Sequence, residues 1–167
     1  MTPLPSQLGG TELVVWRLDP IAFSPTWDSG EGAYRVGGRW NSKGIRAVYC
    51  SLDPATAILE VAVHKTFRVL DTVPHMLTSA TIVDPSSVHV VEPGSVPNPG
   101  WLRPGIPSVG QQLYGDKLLK DHRFVAIPSA VSTHSWNLIF QSVDAAGAHK
   151  MRSQERFALD TRLHPPA

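Results

Sequence analysis

The hydrophobic positions of this chain fall in short runs separated by polar turns, not in long helical stretches. Leu13-Val14-Val15-Trp16-Arg17-Leu18 predicts a buried strand, and Ala47–Cys50, Thr78–Val83, Val88–Val91, Phe124–Ile127 and Trp136–Phe140 predict others. Ala33–Val36 predicts a further short strand and Arg156–Asp160 a last, alternating one, while Ala145–Met151 is ambiguous, a helical turn being its one named reading. Two segments have helical spacing. Asp53-Pro54 supplies an N-cap and a first-turn proline, which predicts a helix from Pro54 to about Thr66. Ala55, Ile58, Leu59, Ala62 and Val63 form its expected core stripe, and Thr56, Glu60 and His64 fall on another. Ser108–His122 predicts an amphipathic helix with Leu113, Leu118 and Leu119 inward and Lys117, Lys120 and Arg123 in solvent. The expected class is mixed α+β, with about six to eight short strands and two helices.

The intervening stretches are turn-rich. Phe23–Gly32 carries Trp27, Asp28 and Glu31 and reads as a surface loop or a flap; Glu92–Pro107 is rich in Pro and Gly, with Trp101 its expected anchor. Residues 1–12 read as a flexible tail and 13–167 as a single domain. The 167 residues, 42% apolar, are enough for one domain with a real core. A formal charge of +1 gives no bulk electrostatic case for nucleic acid or membrane. The one cysteine, Cys50, excludes an intramolecular disulfide, and the seven histidines form no HExxH motif. With no signal segment or long apolar run read in the chain, the expected location is the cytoplasm.

Chemistry concentrates between Gly37 and His64. Gly37-Gly38 delivers Arg39 beside Trp40; Ser42-Lys43-Gly44 turns into the Tyr49 strand; the next helix carries Glu60 in its second turn. Short connections hold a cation, a phenol and a carboxylate close together. Arg17 adds a charge inside an apolar strand, which is costly unless paired. It reads equally as a structural salt bridge and as an anion-binding arginine. Ser129 ends a strand, where polar site residues often project.

In this order the residues resemble the RES domain family, named for an Arg, a Glu and a Ser. The resemblance rests on Trp16-Arg17, Gly38-Arg39-Trp40-Asn41 with Lys43-Gly44, Val48-Tyr49, Leu59-Glu60-Val61 with His64, and Pro128-Ser129. Asn137-Leu138 and Phe157–Leu163 extend it, so that it covers roughly Trp16 to Leu163. The chain departs from the family pattern after Asn137, where Gln141-Ser142 stands in place of a second Asn-Pro and His-Pro.

The resemblance implies a fold similar to ADP-ribosyltransferases, with a cleft between two small sheets. It implies the toxin of a bacterial toxin–antitoxin pair that consumes NAD by phosphorolysis or hydrolysis, or transfers ADP-ribose to a protein. The implied partner is an Xre-like helix-turn-helix antitoxin whose C-terminal end blocks the cleft; a homodimer or a larger complex with it stays open. The implied roles are pyrophosphate anchoring by Arg17 and Arg39 with help from Lys43, nicotinamide stacking by Tyr49, and stabilisation of the ribosyl cation by Glu60. Ser129 is expected to orient the ribose or the arginine, and Asn137 to contact the dinucleotide. No metal is required. The rival readings are a non-catalytic nucleotide-binding module and a glycoside hydrolase, which needs a second carboxylate beside Glu60, from Asp28 or Glu31.

Overall fold

The structure is a computed structural model that describes residues 12–103 and 105–166. The tail expected over residues 1–12 lies, apart from Glu12, outside the described residues. Among the described residues seven strands build one mixed sheet: β1 (Leu13–Pro20), β2 (Ala47–Ser51), β3 (His75–Ile82), β4 (Val88–Val90), β5 (Phe124–Pro128), β6 (Trp136–Gln141) and β7 (His149–Phe157). Their order is β4-β5-β6-β2-β1-β3-β7. Only β4 and β5 run parallel; the other neighbours are antiparallel. Among the same residues three α-helices accompany the sheet: α1 (Glu31–Val36), α2 (Pro54–Thr72) and α3 (Val109–Asp121). The expected mixed α+β class is the observed one.

The sheet is not uniform along its width. β1 and β3 stay in register from Leu13↔Ile82 to Pro20↔His75, and β2 and β6 from Ala47↔Gln141 to Ser51↔Asn137. Between β1 and β2 the register is a single pair, Trp16↔Ser51. The sheet thus consists of two small halves joined at a narrow seam, and strands that part there leave room for a cleft.

Several elements differ from the expectation. Ala33–Val36 is helical within α1, because Glu31 and Arg35 pair at i,i+4 and Gly37 closes the turn onto the Ala33 carbonyl. The last strand is β7, not Arg156–Asp160, and it takes in the end of the ambiguous segment, His149–Met151. As an edge strand bonded only to β3, β7 is polar and largely exposed, so its hydrophobic signal is weak. On α2 the core stripe is rotated: Thr56, Ala57, Ala62 and Leu70 are buried, whereas Ala55, Leu59 and Val63 are exposed. On α3, Leu118 and Leu119 are buried but Leu113 is exposed. Trp27 pins the Phe23–Gly32 stretch by packing edge-on to His149. Trp101 is buried against Trp40, ring centroids 5.3 Å apart, and Trp136 is likewise a core residue.

Candidate active site

A cleft of about 680 Å³ opens at the seam, lined by β1, β2, α2, the loop after α1 and the ends of β5 and β6. That volume is in the range of cofactor-sized sites, roughly 300–1,000 Å³. Arg17, Arg39, Tyr49, Glu60 and Asn137 all line it.

Glu60 is placed by the start of α2. The Asp53 side chain accepts hydrogen bonds from the Thr56 amide (2.8 Å) and hydroxyl (2.6 Å), which fixes the first turn. Glu60 lies two turns on, and its Oε1 accepts from Ser129 Oγ (2.8 Å) and Asn137 Nδ2 (2.6 Å). Both donors are themselves held. Ser51 Oγ donates to Asn137 Oδ1 at 2.8 Å, and the amides of Val131 and Ser132 donate to Ser129 Oγ, each at 3.2 Å. Among the described residues Oε2 has no hydrogen-bond donor. Glu60 therefore has one oxygen oriented by two donors and lines the cleft. Ser129 is fully buried, does not line the cleft and contacts Glu60, not Arg17.

Arg17 makes the structural salt bridge that was one of its two sequence readings. Its Nε and Nη2 donate to the two oxygens of Asp19 at 2.8 and 2.9 Å, and Nη1 donates to the Tyr49 carbonyl at 2.8 Å. The salt bridge is real, and the guanidinium still lines the cleft. Where β1 and β2 part, an arginine side chain spans the gap.

Tyr49 is tied down through its hydroxyl. It donates to Asn41 Oδ1 (2.7 Å) and accepts from the Trp40 amide (3.0 Å). Burial pushes the phenol well above its usual range, so it stays protonated and offers the cleft its ring. Asn41, fully buried, also donates to the carbonyls of Ala33, Ser42 and Ile45. A Cβ on Gly38 would sit 2.6 Å from both Asn41 Oδ1 and the Tyr49 hydroxyl, so only glycine fits there. Helix α3 clamps the same loop: Gln112 donates to the Gly38 carbonyl (2.9 Å) and Asp116 accepts from the Ser42 amide (2.8 Å). Gly115 permits this approach, since a Cβ there would lie 2.1 Å from the Trp40 carbonyl oxygen.

Arg39 donates through Nη1 to the carbonyls of Trp101 (3.0 Å) and Arg103 (3.2 Å), so it braces the Pro-rich loop while lining the cleft. Lys43 is exposed and lies outside the cleft lining. The two acids considered for a glycoside-hydrolase pair are engaged elsewhere, Asp28 with His149 and Glu31 with Arg35 and Arg46. Sequence reasoning missed Asp19, Asn41 as the lock on Tyr49, and Ser51. Asp19 carried a signal: residues i and i+2 of a strand share a face, so an acid there can pair with Arg17.

Residues 14–160 match the RES domain. The chain belongs to the RES domain family. Its similar proteins include Toxin Res of Pseudomonas putida, 29% identical over 153 residues, which spans 90% of this chain and 99% of that protein. The Prs ADP-ribosylating toxin of a Sphingobium species is 30% identical over 156 residues, 89% of this chain and 94% of its own length. This RES domain also shares its fold with a chain of the M. tuberculosis MbcT-MbcA toxin-antitoxin complex. The TM-score is 0.74 at 19% identity, over 88% of this chain and 85% of that one.

Proposed function

We propose that this RES domain is the toxin of a toxin–antitoxin pair and that it cleaves the nicotinamide–ribose bond of NAD. The observation that carries the reading is the Glu60 carboxylate, oriented through Oε1 by Ser129 and Asn137 and free at Oε2, in the same cleft as Arg17. In the cleavage the C1′–N bond breaks with its electron pair going to nitrogen. Neutral nicotinamide leaves without needing a proton, and positive charge develops on the ribosyl ring. A fixed carboxylate stabilises that charge because it is already oriented when the charge appears. Arg17 and Arg39 supply charge-assisted donors for the pyrophosphate, and the Tyr49 ring supplies a flat face for nicotinamide. Ser129 and Asn137 act through Glu60. The relatives named as toxins support the toxin assignment. The partner is an Xre-like antitoxin that covers the cleft; the toxin–antitoxin complex of similar fold supports an antitoxin partner.

The acceptor at C1′ is phosphate or water. In either case a C1′–O bond forms and the acceptor's proton passes to solvent. A second reading, transfer of ADP-ribose to a protein, is favoured by the relative named as a Prs ADP-ribosylating toxin. Incubating the purified, antitoxin-free protein with NAD, with and without phosphate, separates these by mass spectrometry of the products. Phosphate-dependent ADP-ribose 1″-phosphate marks phosphorolysis, and free ADP-ribose in both conditions marks hydrolysis. Intact NAD in both, with labelling of a protein in lysate supplied with tagged NAD, marks the transferase. Intact NAD with no labelling overturns the proposal.

A further inference from the structure

We propose that Asp19 is the positioning residue of Arg17, fixing the guanidinium for the pyrophosphate at the expense of some attraction for it. The inference rests on the reading of the cleft as a dinucleotide site. Arg17 and Asp19 share one face of β1, a strand held to β3 along its whole length. Asp19 is a buried acid, 8% exposed, whose two oxygens take the Nε and Nη2 edge of Arg17 side-on. With Nη1 bonded to the Tyr49 carbonyl, three of the five guanidinium N–H groups are committed. One remains on each terminal nitrogen, a pair of donors for phosphate oxygens.

Electrostatically the arrangement runs against simple anion binding. A carboxylate 2.8 Å from the arginine lowers the net pull on a phosphate. What it supplies is a fixed direction for a side chain that otherwise has many rotamers. Correct placement of a remote anchor is worth rate at the reacting centre, where a misplacement of about 1 Å costs on the order of 100-fold. Asp19 thus gives up binding for geometry, and the two are separable by experiment.

The test compares wild type with Asp19→Asn, which keeps the shape and one acceptor oxygen but loses the charge. Three quantities are read: kcat and KM for NAD, the dissociation constant of ADP-ribose, and water exchange of the Arg17 Nε–H resonance by NMR. We expect kcat to fall about 10–100-fold, ADP-ribose to bind as tightly or more tightly, and Nε–H exchange to accelerate. Asp19→Glu, which restores the charge at a shifted position, is expected to return ADP-ribose affinity to the wild-type value and recover part of kcat. Unchanged kcat in folded Asp19→Asn overturns the proposal, as does a loss of ADP-ribose affinity with kcat intact. Should Asp19→Asn not fold, Asp19→Glu decides alone: reduced kcat at wild-type ADP-ribose affinity supports the proposal and wild-type kcat overturns it. If wild type leaves NAD intact and labels no protein in lysate, the functional reading fails separately. The NMR exchange then decides for Asp19: faster exchange in the variant supports the pairing role, and unchanged exchange overturns it.

Discussion

At the scale of single residues, the site is a set of polar groups each held by another. Glu60 is held by Ser129 and Asn137, Arg17 by Asp19, and Tyr49 by Asn41. In the proposed cleavage the charge on Glu60 is the part the chemistry needs, and it can be removed without removing the bonds. In Glu60→Gln the amide oxygen still accepts from Ser129 and Asn137, so the fold is kept while the developing ribosyl cation loses its counter-charge. Nicotinamide release is expected to slow about 100–1,000-fold, with the thermal midpoint unchanged. A folded variant with wild-type turnover would remove Glu60 from the mechanism. The cleft-lining residues Arg17 and Glu60 were legible as candidates: an arginine in an apolar strand, and a glutamate on the helix that follows the Tyr49 strand. The residues that hold them were harder to read. Asn41 and Ser51 act through contacts fixed only by folding, and Ser51 meets Asn137 across 86 positions of sequence.

At the scale of elements, α2 shows how local strain and packing redirect a pattern. The helix expected to stop near Thr66 does break there: Thr66 has φ 71° and ψ 155°, and helical residues resume beyond it up to Thr72. That backbone region is essentially reserved for glycine, and a threonine in it carries about 1–3 kcal/mol of strain. Thr66→Gly relieves the strain but adds about 0.5–1 kcal/mol of unfolded-state entropy. The net expectation is a gain of about 1 kcal/mol, read as a higher urea midpoint at unchanged slope; a lower midpoint would count against the strain. The stripe on α2 was misread because burial there serves Thr56 and half-buried Glu60 as well as the apolar residues. Helix α1 was missed because six residues are too few for a periodic signal, and its support is ionic. Glu31 bonds Arg35 at 2.7 Å and also bonds Arg46. These partners, Arg35 first, hold its carboxyl below the ordinary 4.5. A lowered carboxyl stabilises the fold above its unfolded-state value and loses that contribution as pH falls through the folded one. Glu31→Gln is therefore expected to lower the thermal midpoint at pH 7, with the gap closing as pH falls through the folded-state value; a gap that does not narrow on acidification would show that the ion pair is not its cause.

At the scale of the whole molecule, the fold builds its cleft by joining two half-sheets at one registered pair. The strand count and the α+β class were readable from short apolar runs between turns. The seam was not, because strand order depends on which strands meet, and β1 pairs with β3 and β2 across intervening helix and loop. Cys50 probes this centre. It sits on β2, the middle strand of the seven, 3% exposed and within a core cluster that spans β1, β3, β5 and β6. Burial pushes its thiol up to about 12 from the ordinary 9.0. Only the thiolate reacts with alkylating reagents, and the buried thiol stays protonated, so at pH 8 the native protein is expected to label far more slowly than an ordinary cysteine. Because the thiol lies inside the sheet core, labelling must pass through an opening of that core, and its rate should rise with urea in step with global unfolding. ADP-ribose bound across the seam, by stabilising the closed form, is expected to slow labelling further. Measured by mass shift over time, labelling that proceeds at the free-cysteine rate in native buffer would mean that β2 does not sit at the centre of a closed sheet. Labelling slowed as expected but indifferent to ADP-ribose would leave the sheet in place and put the ligand somewhere other than the seam.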